Sequence, residues 1–223
     1  TQTSMLHVRA GRIDTERVRS AASLLQSTSP DYLLLASLDI ARLQMAEAGE
    51  ELIGHAVLLA EKLRRAINKI EGLYCFGAER MDRPGATGLD LTKLTVHVRG
   101  LGISGTEAEQ VLRHRYKIQC ELADAYNVLF IISLADTEKE TAKLLAALQA
   151  LAAMHRGQKS FPEVNRLPAI PASRLSPREA FFASAECAAF SEAAGRVAAE
   201  QIMFYPPGIP VVCPGEEITQ EVL

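Results

Sequence analysis

Two short stretches carry the residues whose types and spacing point to chemistry. FYPPGIPVVCPGEEI, Phe204 to Ile218, breaks an apolar, strand-like run with prolines and glycines and then presents two carboxylates, Glu216 and Glu217. Pro206 and Pro207 fix two φ angles, Gly208 permits a sharp reversal, Pro210 removes a donor, and Pro214-Gly215 makes a second turn. Two stiff turns flanking IPVVC would hold Glu216 at the end of a strand. That suits a site for a cationic ligand, because a preorganised acid loses little entropy on binding. The same prolines equally suit an edge strand guarded against pairing, and the residues alone leave both readings open. The second stretch is STSP, Ser27 to Pro30, two hydroxyls and a third at a helix break. They either hold a phosphate or cap the next helix, and on the residues alone capping is the simpler reading.

Other candidates carry less. GLGISG, Gly100 to Gly105, is glycine-rich and precedes a helix, an anion-binding geometry in principle but more simply a strand-to-helix turn. No P-loop is present to cradle a nucleotide. The five histidines are scattered, none at an i, i+4 ligand spacing with a carboxylate nearby. Cys75, Cys120, Cys187 and Cys213 lie far apart with no CxxC pair, which fits reduced thiols better than a disulfide framework or zinc site. Cys213, though inside the proline motif, lacks an evident activating partner and reads as packing.

The elements that must position these residues follow from periodicity. Asp14 to Gln26 is helical, with Val18, Ala21, Ala22, Leu24 and Leu25 at helical spacing and Asp14 as N-cap. Pro30 breaks it by disfavouring helix at Ser29. Asp31 to Ala48 resumes a helix so apolar all round that it should be largely buried. Gly49 punctuates, Glu50 to Ile70 is a long amphipathic helix, and Gly72 sits where its C-cap should. Leu94 to Gly100 alternates and is β-branched, hence a strand. A loop and helix follow with Ser104 or Thr106 as N-cap. IQCEL and NVLFIISL are two more strands around the turn ADAY, and the helix from Asp136 to His155 is capped by Asp136 or Thr137. Leu94 to His155 thus reads β-α-β-β-α, a small sheet with helices on one face. A proline-containing connection, Phe161 to Pro177, leads to a short helix from Ser176-Pro177 and a strand from Arg196 to Met203. The last residues, EEITQEVL, read as a helix beginning.

Composition bounds the function. The 223 residues carry a net charge of −3 with mixed signs, against the basic face of a nucleic-acid binder. No apolar run approaches the roughly 20 residues of a bilayer span. With 48% hydrophobic and 23% charged residues, the composition is that of an ordinary soluble globular protein, expected in the cytoplasm. The opening TQTSMLHV is already strand-like, so both ends look interior to a longer polypeptide.

The residues also match a family. YPPGIPVVCPGEEIT resembles the C-terminal motif of the bacterial-type Orn/Lys/Arg decarboxylases. TQTSMLHV, LLQSTSPDYLLLASLDIAR, TKLTVHVRGLGISG, YNVLFIISL, SPREAFFA and EAAGRVAAEQI resemble further segments of that family, in family order. The resemblance covers nearly the whole chain and is greatest to the shorter branch, without a large N-terminal wing. It implies an α/β fold, the aspartate-aminotransferase type (fold type I), and a pyridoxal 5'-phosphate cofactor. It further implies residues 1–75 as the end of the large cofactor-binding domain, 76–157 as a small β-α-β-β-α domain, 158–175 as a linker and 176–223 as the start of a C-terminal domain. The lysine that carries the cofactor would lie upstream of Thr1, so no catalytic residue is assigned within the chain and alone it is expected to be inactive.

By the same resemblance Ser27, with Thr28 as the adjacent fallback, reaches the cofactor phosphate of the neighbouring subunit of a homodimer. Glu216 receives the distal cationic group of the substrate, with Glu217 the alternative if the register slips by one. Arg99 is not assigned to the substrate α-carboxylate, because a decarboxylase gains by leaving that group poorly stabilised. The function implied is decarboxylation of arginine, lysine or ornithine to an amine of polyamine biosynthesis. The alternative is a non-catalytic truncated paralogue that binds a full-length partner through the dimer surface.

Overall fold

The fold was taken from a computed structural model that describes residues 4–81, 83–157, 168–205 and 208–223, without the side chain of Phe204. Pro206 and Pro207, the first turn of the proline motif, and residues 158–167 of the connection lie outside the described residues. The chain divides into two compact units, Thr1–Leu58 and Leu59–Leu223.

In the first unit, helix α1 (Thr15–Leu25) starts where Asp14 accepts from the N–H groups of Glu16 and Arg17, as its capping role requires. The break at Ser27–Pro30 follows, and Asp31 accepts from Leu33 N at 2.9 Å to start α2 (Tyr32–Ile67). The expected punctuation at Gly49 does not occur: α2 is one helix of 36 residues that runs through Gly49 and Gly54. A helical glycine costs only about 1 kcal/mol relative to alanine, too little to end a helix of good formers on either side. Nor is the first half of α2 buried, for Leu33 is 83% and Ile40 66% exposed. The all-round apolar pattern predicts burial, and within the described unit nothing covers it.

The second unit holds the core. α2 stops at Ile67, earlier than the Gly72 cap predicted, because i→i+3 bonds from Lys69 N to Ala66 O and Ile70 N to Ile67 O tighten it into turns. Gly72, with φ +86°, then turns the chain into β1 (Tyr74–Cys75), a two-residue strand that the sequence reading lacked. β2 (Lys93–His97), α3 (Gly105–Tyr116), β3 (Leu122–Ala123), β4 (Asn127–Ile131) and α4 (Glu138–Met154) follow. The sheet is antiparallel throughout in the order β1-β2-β4-β3, with Val96 opposite Val128 and Leu94 opposite Phe130. Alternate residues Leu94, Val96, Val128 and Phe130 point to one face. There they join Leu63 and Ile67 of α2, Ala108 and Leu112 of α3, and Leu148 and Leu151 of α4 in one buried cluster. The helices-on-one-face reading holds. The fold is mixed α/β.

The caps are Ser104 and Thr137, each a reciprocal box, with Glu107 and Glu140 returning to the capping residue. The glycine-rich turn before α3 is thereby satisfied internally. Gly105 is glycine for packing, since a Cβ there would stand 2.2 Å from Asn127 O.

Beyond the connection, α5 (Pro177–Phe182) is capped by Ser176 with Glu179. The strand expected over Arg196–Met203 shrinks to β5 (Ile202–Phe204), which pairs with β6 (Ile209–Val212). The preceding residues serve a different partner: Ala198 N donates to Glu216 O and Ile218 N to Arg196 O. These bonds draw Glu216 and Glu217 into bridges, so the expected terminal helix does not start there, and Val222 N bonding to Thr219 O closes only a turn. Ala193, Ala198, Val212 and Ile218 form a small second core.

Candidate functional site

Ser27 and Thr28 belong to the first unit, and Glu216 and Glu217 to the second. Ser27 and Thr28 are exposed at the break between α1 and α2. Ser27 Oγ accepts from Ser29 N at 3.2 Å, the local turn that a hydroxyl makes before a proline. Its own O–H stays available as a donor, so a phosphate oxygen fits as acceptor and this corner is compatible with one end of a phosphorylated cofactor.

The acidic turn is built more heavily. Gly215 takes φ +91°, a left-handed conformation that favours glycine, and a Cβ there would stand 2.2 Å from Leu175 O. This close approach lets Arg174 N and Leu175 N both donate to Gly215 O, at 2.8 and 3.0 Å. From the other side Gly215 N donates to Ala198 O at 2.8 Å. Residues 172–175 and 196–198 thus clamp the turn, and Ser173 bridges directly to Glu216.

The two carboxylates part company. Glu216 is half-buried, and its Oε2 accepts from Cys213 N at 2.7 Å, across its own turn. Glu217 receives both Nε and Nη2 of Arg174 on one oxygen, at 2.8 and 2.6 Å. Among the described residues no cation lies within ion-pairing distance of Glu216. Of the two acids on this stiff turn, Glu217 is ion-paired, and Glu216 has no ion pair among the described residues. Arg174, 43 residues from its partner, went unnoticed in the sequence, since no local pattern joins the two.

The remaining candidates take structural places. Arg99 lies with its guanidinium 5.3 Å from the Tyr126 ring centre. Arg64, only 7% exposed, spans Phe76 O, Leu91 O and Lys93 O and ties α2 to the loop before β2. Burial pushes the Cys75 thiol up to about 11 and Cys120 up to about 12, so both stay protonated near neutrality. All four cysteines are free. Among the described residues no cluster of three metal-ligating side chains forms, and no helix is long and apolar enough to cross a membrane.

Comparison with known proteins places these features in context. Residues 1–140 match the family model described as Orn/Lys/Arg decarboxylase, major domain, and residues 159–223 the one described as Orn/Lys/Arg decarboxylase, C-terminal domain. An arginine decarboxylase of Bacillus anthracis is 46% identical over 225 residues, covering 100% of this chain and 46% of the relative. One from Bacillus subtilis is 41% identical over 223 residues, covering 99% and 46%. The chain therefore spans about half the length of the curated relatives it matches. The crystal structure of a Francisella novicida lysine decarboxylase superposes with a TM-score of 0.74 at 22% identity, over 95% of this chain and 40% of that one.

Proposed function

The chain belongs to the Orn/Lys/Arg decarboxylase family, and from that premise we propose that it is part of a pyridoxal-phosphate-dependent decarboxylase of a basic amino acid. The observation that carries this reading is the stiff acidic turn with its one uncompensated carboxylate, Glu216. Arginine is the substrate proposed first, because the relatives named arginine decarboxylases match the full chain at 41–46% identity. When bound, the cofactor supplies the electron sink for the bond broken as carbon dioxide leaves.

This chain's residues bind and orient. Ser27 would donate its hydroxyl hydrogen to the cofactor phosphate of the neighbouring subunit, with Thr28 beside it. Glu216 accepts from the guanidinium of the substrate while Cys213 N–H holds its other oxygen, so the α-carbon end is directed away from the turn. Fixing the far end of the substrate lets remote binding free energy orient the reacting bond. The domain limits proposed are 1–75, 76–157, 158–175 and 176–223. No residue of this chain is assigned as the lysine that carries the cofactor, and the activity proposed is that of the whole protein. The whole enzyme is a cytoplasmic homodimer whose product is an amine of polyamine biosynthesis, and its partners are small amino acids rather than nucleic acid or membrane.

Glu216→Gln in the full-length enzyme tests the reading. Loss of one hydrogen bond between charged groups is worth about 1.5–3 kcal/mol, so KM for arginine should rise roughly 10- to 100-fold. An unchanged KM would remove Glu216 from the substrate site.

A further inference from the structure

The family resemblance leaves open which of two adjacent acids receives the substrate, and the second unit supplies a residue that decides it. We propose that Arg174 is a specificity-determining positioning residue: it occupies Glu217, holds the charge of the turn at one uncompensated carboxylate, and so directs a singly charged head group to Glu216. This rests on the proposed place of Glu216 at the cationic end of the substrate.

Three observations carry it. Both Nε and Nη2 of Arg174 converge on Glu217 Oε2, at 2.8 and 2.6 Å, a two-donor grip that a lysine ammonium would not reproduce. The backbone of Arg174 is held at the same turn, through Arg174 N to Gly215 O at 2.8 Å, and the segment leading to it is tied by Glu217 N donating to Ala172 O at 2.9 Å. The guanidinium is therefore presented from a fixed base. Glu216 keeps a different partner, the N–H of Cys213, which is neutral and leaves its charge uncancelled. Two consecutive acids without Arg174 would offer a cation two competing docking points one residue apart. A substrate held by Glu217 would place its α-carbon out of line with the reacting bond, a bound but unproductive mode.

That mode has a kinetic signature distinct from loss of structure. Unproductive binding lowers kcat and KM by the same factor and leaves kcat/KM unchanged. In the full-length enzyme with arginine, Arg174→Met should lower kcat and KM together about two- to fivefold, the scale set by a partly exposed ion pair. Adding Glu217→Gln to Arg174→Met removes the competing acid and should restore both constants. If Arg174 only staples the fold, kcat/KM falls, the melting temperature drops and Glu217→Gln rescues nothing, which overturns the proposal. Should Arg174→Met fail to fold, Glu217→Gln alone decides. Its freed guanidinium competes with substrate for Glu216 and should raise KM about two- to fivefold at constant kcat, and an unchanged KM overturns the proposal. Glu216→Gln separates the two levels: if it leaves KM unchanged, the substrate-site reading fails. If it raises KM while the Arg174 and Glu217 variants behave as a mere staple, only the role of Arg174 fails.

Discussion

Gly215 shows how much of the acidic turn depends on a single missing side chain. Its φ of +91° and the 2.2 Å approach of Leu175 O to any added Cβ leave no room for a larger residue. Gly215→Ala meets backbone rather than a flexible side-chain end, so the clamp formed by Arg174 N and Leu175 N must open. We expect a loss of about 3 kcal/mol, as for strained positions that also clash, read as a lower urea midpoint. A midpoint unchanged from the parent would mean that the turn tolerates another geometry. Glu216 and Glu217 show the converse, identical side chains separated only by surroundings. The sequence placed an acid directly after Pro214 and Gly215, but the pairing of Glu217 with Arg174 arises from chain segments that meet only in the fold.

The helices are held by short-range chemistry, and their caps respond to pH. Glu107 is held below the usual carboxylate range, first by the N–H of Ser104 and then by its hydroxyl. Glu140 is lowered first by the Thr137 hydroxyl, and Glu179 first by the Ser176 hydroxyl. A carboxyl lowered on folding contributes stability that is present above its ordinary value of 4.5 and lost as pH falls through the lowered one. Urea midpoints should therefore fall below about pH 4.5, and replacing Glu107, Glu140 and Glu179 with Gln should flatten that fall. An identical acid slope in the triple variant would contradict the capping account. Asp14 was legible as a cap, and Ser104 and Thr137 each as one of two neighbouring candidates, because a cap is decided within four residues. The continuity of α2 through Gly49, the two-residue β1 and the loss of most of the strand over Arg196–Met203 were not. Each is set by backbone partners far along the chain: β1 exists because Cys75 meets Val96, and residues 196–198 serve Glu216 and Ile218 instead of extending β5.

Taken as a whole, the molecule joins one well-buried sheet-and-helix core to surfaces that the described residues leave open. Leu24 and Leu25 of α1 are 87% and 88% exposed, and α1 has no buried residue. The chain spans about half the length of the curated relatives it matches. The activity is proposed for the whole protein. The most direct measurement is carbon dioxide release by the purified full-length protein supplied with pyridoxal phosphate and, in turn, arginine, lysine and ornithine. The account predicts release from arginine in preference to the other two, diminished by Glu216→Gln through KM. No release from any of the three would contradict it.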